Sequence, residues 1–346
     1  MAFLHSHSSE CMSSELDLFS LPPTQTSIEN SGYIHYKPVS SITNESDAPI
    51  EFVVPSASEH YIDLAHTMLF IQAQIVPIEE EATENAKVGP VNNFLHSMFN
   101  QIDVFFNQKL VSLPNNLYSY RAYLESLLNY SPHAKESHLT ASLWYNDTPG
   151  AFDASPNTAQ SPNAGLVKRR EFTLAGKTFD MIGHLHCDVF NQDKMLLNGV
   201  EMRLRLLRSK DAFCLMDSSD DGKFNIKIKE ATLIVRRAMI SLGILLAHAN
   251  PLARSTAKYP ITRVEVKSFT MRTGILGDTL NNVILGQLPK RIVIGFEDNR
   301  AFNGSRAQNP FNFHHFNINY LSLYVDGVQV PSKPLPPRFG DAGLYV

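Results

Sequence analysis

The sequence predicts a mainly antiparallel, all-β protein of sandwich or jelly-roll type, and three observations carry that prediction. From Val200 to Leu206, apolar Val200, Met202, Leu204 and Leu206 alternate with charged Glu201, Arg203 and Arg205, which is the period of a half-buried strand. The run is entered through Asn198-Gly199, the dipeptide best suited to the two positive φ angles of a type I′ turn. A second hairpin signal lies downstream, where Leu321, Leu323 and Val325 lead into Asp326-Gly327 and Val328-Gln329-Val330 follows. Many short strand patterns, few helical ones and regularly spaced turn residues complete the case.

Taken in order, residues 1–30 are Ser-rich, contain Pro22-Pro23 and read as an arm. Strands are expected over 33–36 and 50–54, and a longer one over 67–76. The acidic stretch from Glu79-Glu80-Glu81 to Lys87 reads as a solvated loop. Phe94, Leu95, Met98, Phe99 and Ile102 share one helical face, with a strand at Val104-Phe105-Phe106 behind them. Leu117, Tyr120, Leu124, Leu127 and Leu128 recur at three and four, which predicts a helix over 117–129. Residues 146–164 lack periodicity and form a long loop, of the kind that more often makes contacts than fills space. Strands resume at Phe172, over 200–207, and over 224–229 with 231–235 continuing. The apolar run Met239–Ala247, ending at Asn250-Pro251, marks a domain junction with a short helix. Beyond it, strands are expected at Val264–Lys267 and Arg291–Phe296, then the Asp-Gly hairpin.

Composition bounds the function. A chain of 346 residues suggests two domains, each able to bury a core. A net charge of −4 excludes a histone-like binder of nucleic acid. Cys11, Cys187 and Cys214 are too few and too scattered for a disulfide framework or zinc knuckle, and fit a reducing compartment. The N-terminus has no basic, apolar leader pattern, and no run of about 18 apolar residues suggests a membrane span. The Asn44, Asn146 and Asn303 sequons are chance matches if the chain is not secreted.

At this point several stretches together resemble a known family. They are Leu16–Thr26 (LDLFSLPPTQT), Gly89–Ser97 (GPVNNFLHS), Arg208–Met216 (RSKDAFCLM), Gly286–Gly295 (GQLPKRIVIG), Asn299–Gly304 (NRAFNG) and Asn309–Phe313 (NPFNF). Their sequence and order resemble the major capsid (hexon) protein of Polinton/Maverick elements and adintoviruses, nearly end to end. The resemblance implies two jelly rolls and a homotrimer forming a pseudo-hexagonal capsomer of an icosahedral shell. It implies contacts with neighbouring capsomers and a minor penton protein, and at most indirect contact with packaged DNA. The expected location is the virion, and in the host cell the cytoplasm or nucleus, without secretion or a membrane span. Expected divisions are an arm at 1–30, a first jelly roll at 31–242 and a second at 243–346. Family members continue beyond the position of Val346, so the second jelly roll is expected to be truncated.

No catalytic, cofactor-binding or metal-binding residue is expected, and no cofactor. His184-Leu185-His186 is the best enzyme lead, since alternate residues on a strand face one way and two imidazoles could share a metal, as in cupins. Asp188 follows too closely, no Glu stands at the expected spacing although Asp193 is nearby, and no third histidine is evident. Cys187 reads as a small buried hydrophobe, and the adjacent His314 and His315 as pointing to opposite faces. Lys168-Arg169-Arg170 reads as a solvated loop end before a nucleic-acid contact, and Arg203, Arg205 and Arg208 as the polar face of a strand. Gly183, Gly274 and Gly277 build no phosphate loop, and no nucleophile elbow occurs. The alternatives are a two-domain metalloenzyme at His184/His186 and a carbohydrate-binding sandwich. Exposed aromatics would mark the latter, and the lone Trp144 sits beside a loop.

Overall fold

A computed structural model describes residues 13–21, 24–42, 48–78, 87–156, 161–217 and 224–340. The expected acidic loop at 79–81, Cys11, Asn44 and Pro22-Pro23 lie outside these. Twelve strands are described: β1 Ile28–Tyr36, β2 Ile50–Val54, β3 His60–Pro77, β4 Val88–Pro90, β5 Phe99–Phe106, β6 Lys109–Leu110, β7 Thr178–His184, β8 Met202–Arg208, β9 Leu215–Asp217, β10 Phe224–Ile240, β11 Tyr324–Val325 and β12 Val328–Gln329. The α-helices are α1 Phe94–Ser97, α2 Tyr118–Asn129, α3 Pro132–Glu136, α4 Ala164–Thr173, α5 Asp211–Cys214, α6 Leu242–Leu252 and α7 Asn299–Asn303.

Eight of the strands make two four-stranded antiparallel sheets, in the orders β1-β10-β3-β7 and β2-β8-β5-β6. Leaving out the short β4–β9 and β11–β12 pairs, the first strand in sequence lies beside the last, the second beside the next to last, and successive strands alternate between the sheets except at the β5–β6 hairpin, which stays in one. That is a jelly roll. The core between them is apolar: Phe52, Val54, Leu69, Ile71, Val104, Met202, Leu204, Leu206, Leu233 and Val235 are all fully buried. Period two is plain in β8, where Met202, Leu204 and Leu206 turn inward and Arg203 and Arg205 do not. Arg208 takes the last inward position, donating to the Ile226 carbonyl at 2.8 Å with Asp211 nearby.

Several local expectations change. Phe99 and Ile102 belong to β5, because α1 lasts one turn before the chain enters the ladder with β8. Phe172 sits on α4, whose first turn is capped by Asn163 accepting from Leu166 N–H at 3.2 Å, so the strand starts only at Thr178. Helix 117–129 forms as α2, but it buries Tyr118, Tyr120, Ala122, Tyr123 and Ser126 while Leu127 and Leu128 face solvent. The neighbours of α2 are aromatic, and they select its tyrosine face. At Asn198-Gly199 only the glycine has positive φ (77°), so the turn is not type I′, and β8 begins at Met202. Asn198 instead donates its side-chain amide to the Ser58 carbonyl, at 2.5 Å. Asp326 and Gly327, at φ 49° and 80°, do make the expected hairpin turn.

Val264–Lys267 and Arg291–Phe296 alternate in sequence but form no ladder among the described residues. A strand requires a hydrogen-bonded neighbour, and alternation alone does not supply one. Ile292, Ile294 and Leu323 are 41%, 55% and 42% exposed.

Arg169, expected in solvent, is fully buried. It donates to the Pro90 carbonyl at 2.9 Å, the Tyr145 carbonyl at 2.6 Å and Asp147 at 2.6 Å, pinning α4 to β4 and to the loop after Trp144. Arg169→Ala strands the buried Asp147 carboxylate, and a loss of about 3–5 kcal/mol is expected in denaturant titration. Gly199→Val is expected to cost about 1–3 kcal/mol from backbone strain alone, since a Cβ there meets no atom within 4 Å.

Candidate functional site

The polar and aromatic groups that sequence reasoning could not connect converge on α2. Its first turn is set against α1 and the end of β7, and the close approach is permitted by Gly183. A Cβ at that position would stand 2.7 Å from Leu95 Cδ2 and 3.2 Å from His96 Nε2. Asn93 enters α1 in the left-handed region at φ 54°. Asn92 holds that turn by accepting from Asn93 N–H at 2.8 Å and Tyr145 N–H at 2.9 Å.

Three histidines meet there. His96 Nδ1 lies 2.9 Å from the Tyr118 hydroxyl, and its ring meets His186 edge-on with centroids 4.7 Å apart. His186 Nδ1 is 2.7 Å from Glu125 Oε2, whereas His184 Nε2 is 2.9 Å from the Ala65 carbonyl. Because β7 ends at His184, the two histidines of the sequence pair do not act as same-face strand neighbours, and their nitrogens reach different partners. Burial, followed by the nearby His186 and His184, holds His96 well below the ordinary imidazole value. Burial, then His186, lowers His184. Burial pushes the Cys187 thiol up to about 12 and raises Cys214 too, so neither is an activated nucleophile. Among the described residues no group of three or more His, Cys, Asp or Glu has a metal-holding arrangement.

Beside the histidines, Arg121 donates to Glu125 at 2.9 Å and to Asp188 at 2.6 Å. Asp188 also accepts from Val264 N–H at 3.2 Å, and Arg263 stands 3.7 Å away. Tyr118, Arg121, His186, Cys187 and Asp188 line a shallow cleft with Ser112, Asn115 and Ile102. Asp188 in the cleft and Glu125 beside it each face the Arg121 guanidinium, which leaves neither as a free general base.

The opposite side of α2 is aromatic. Tyr123 stacks on Phe311 with centroids 4.1 Å apart, and Tyr120 on Phe302 at 5.7 Å. Trp144 packs against Tyr123 and is buried, so it offers no face to a sugar. Tyr120 donates to Glu297 Oε1 at 2.8 Å. Asp153, from the long 146–163 loop, accepts from Asn309 N–H at 2.7 Å and from the Asn312 amide at 2.8 Å, a contact role for that loop. His315 stacks on Phe339, while His314 N–H donates to the Phe296 carbonyl, so the pair serves separate contacts.

Several of the stretches that carry the sequence resemblance lie against one another or against α2. Val88–Pro90 pairs with Leu215–Asp217, Val91 N–H donates to the Cys214 carbonyl at 2.9 Å, and Phe302 and Phe311 lie on α2. No protein-family model matches the chain. Uncharacterized protein F54H12.2 of Caenorhabditis elegans is 25% identical over 328 residues, covering 91% of this chain and 74% of its own. Among solved structures, the Sputnik virophage determined by cryo-EM matches with a TM-score of 0.45 and 12% identity over 68% of this chain and 53% of that one. The mavirus major capsid protein matches at 0.36 and 13% over 70% and 53%. A third match, PBCV-1 VP54 fitted into a Sputnik reconstruction, gives 0.41 and 9% over 67% and 47%. The chain spans about half the length of these solved structures.

Burial raises the Glu297 carboxyl to about 8, with Asp298 adding to it and the Tyr120 hydrogen bond opposing. The folded state therefore holds this proton more tightly than the unfolded chain. Its contribution is present at low pH and is lost as pH rises from the ordinary value through about 8. Thermal unfolding followed against pH is expected to show an alkaline loss of stability that Glu297→Gln reduces.

Proposed function

We propose that this chain is a structural subunit of an icosahedral virus-like shell: a major capsid protein of the double jelly-roll class encoded by a Polinton/Maverick or adintovirus-type element. The observation that carries the reading is the strand order β1-β10-β3-β7 against β2-β8-β5-β6, in a sandwich packed throughout with apolar side chains. The motif resemblance supports it independently. So does the chemistry around α2, where carboxylates and arginines neutralise one another and tie chain segments together.

In this reading the first jelly roll, expected over 31–242, runs from β1 at Ile28 to β10 at Ile240, residues 243–346 belong to the second, and the residues before β1 form an arm toward a neighbour. Three copies associate through both regions into a pseudo-hexagonal capsomer. Capsomers then meet one another and a penton protein through many weak contacts repeated by symmetry. The arrangement needs no cofactor and no catalytic residue. Its place is the virion, and before assembly the host cytoplasm or nucleus. No described helix is long and apolar enough to cross a membrane.

Light scattering and negative-stain imaging of the purified chain test the proposal. A trimer with a hexagonal outline is expected. A strict monomer at every concentration would overturn it. So would stoichiometric iron, manganese or zinc that disappears in a His184→Ala, His186→Ala variant, because that result favours the metalloenzyme.

A further inference from the structure

The histidines around α2, His96 and His186 buried and His184 half-buried, are clustered and joined to the segment that follows α6, and that combination has a consequence independent of capsid assembly. His96 comes from α1, His184 from β7 and His186 from just beyond it. Facing them are Tyr118, Arg121 and Glu125 of α2, with Tyr130 past its end. Beyond β7 stand Cys187 and Asp188; Asp103 of β5 lies behind Cys187, and Arg263 comes from the chain after α6. On the β3 side the Ala65 carbonyl faces His184. The carboxylates near the rings are already engaged: Glu125 with Arg121 and His186, Asp188 with Arg121 and Arg263. A proton added to His96 would therefore meet a hydroxyl and another imidazole ring, with no carboxylate of its own.

We propose that His96 and His184 form an acid-sensitive latch: charging these two rings loosens α1 and α2 from the end of β7 and frees the 259–267 segment. The coupling is short. Asp188 lies two residues beyond His186 and holds Val264 N–H and Arg263, while Tyr259 donates to the Met195 carbonyl and accepts from Leu197 N–H. Displacing the end of β7 moves the Asp188 anchor itself.

The direction follows from the environment. Burial lowers His96 and His184 in the fold, so the unfolded rings bind protons first as pH drops below about 6.5, and acid favours opening. Burial raises the Glu125 carboxyl, but the His186 hydrogen bond and Arg121 outweigh it and bring the group below its ordinary value, so deeper acid adds to the loss. Tyr120–Glu297 responds the other way and stays closed in acid. The 259–267 end is released while the 297–313 end remains docked.

Hydrogen exchange on the wild-type protein tests this. Between about pH 7.5 and about pH 5, amide protection corrected for intrinsic exchange is expected to fall, by at most about thirtyfold for each of the two rings, since about 1.5 pH units separate the ordinary imidazole value from pH 5. The fall should appear at 94–97, 118–125 and 259–267, and not at 50–54, 202–208 or 299–313. A His96→Gln, His184→Gln variant, neutral at both pH values, is expected to lose most of the effect. Should that variant not fold, exchange at the histidine ring C2 position in the wild type decides, because His96 and His184 must titrate where the amides open. Unchanged protection in acid, a uniform loss over all segments, an equal loss in the variant, or ring titration apart from amide opening would each overturn the latch.

Discussion

The pairing of β3 with β10 is the constraint on which the other elements depend. Two strands of 18 and 17 residues register from Pro77–Phe224 to His60–Met239. Closing a loop on the order of 150 residues costs about 4 kcal/mol beyond a constant. A ladder hydrogen bond returns about 0.5–1.5 kcal/mol net, so a few of the fourteen register positions offset that closure. Once formed, the pair presents edges to β1 and β7, and its inward residues Leu69, Ile71, Leu233 and Val235 fix which face the second sheet must cover. Register shifts at Ile228/Glu230, where β10 carries the extra residue, and at Ile234/Arg236, where β3 carries the extra ones, bend the pair, giving the curvature that a two-sheet roll needs.

Against this frame α2 acts as a bracket. One side is polar and grips β7, Asp188 and residues 263–264; the other is aromatic and grips 302–313. Polar contacts define direction, while the stacked Tyr123–Phe311 pair supplies the larger gain from burial. Arg306 adds a third attachment, donating to the Phe224 carbonyl at 2.7 Å at the start of β10. The chain after α6 is therefore fastened to the same long pair that organises the sheets.

Sequence made the β content legible wherever one face alone is buried. β8 and the first residues of β10 alternate because solvent lies on their other side, whereas Ala231–Val235 of β10 are buried in succession, and the Asp326-Gly327 turn was readable because both residues tolerate positive φ. Pattern failed at 94–102, where α1, Met98 and β5 are buried on several sides and period carries no information. It failed at Phe172 because the deciding signal was a single cap, Asn163, inside what read as loop. The α2 junction had two local traces: the His184-x-His186 pair, and Arg121 with Glu125 four residues later, the spacing of a helical ion pair. What joins them to His96, Asp188 and Glu297 is tertiary. These residues come from separate elements, and only the close approach at Gly183 and the fold of the chain after α6 bring them together.

That so many charges lie buried at this junction needs a physical reason, since burying ions is a poor way to gain stability. A tight apolar contact would hold α2 to β7 at least as strongly. What it would not do is fix where the following chain attaches, because apolar faces slide. Asp188 accepts one backbone N–H and two guanidinium contacts from two different segments, α2 and residues 263–264, and a shift of one residue at either of them leaves a buried charge without a partner. The cost of that error is larger than the gain from the correct arrangement. Arg169 applies the same logic at α4, through two carbonyls and Asp147. Hydrophobic strands decide that a jelly roll forms; these few ionic pins decide how its helices and its following chain are set upon it.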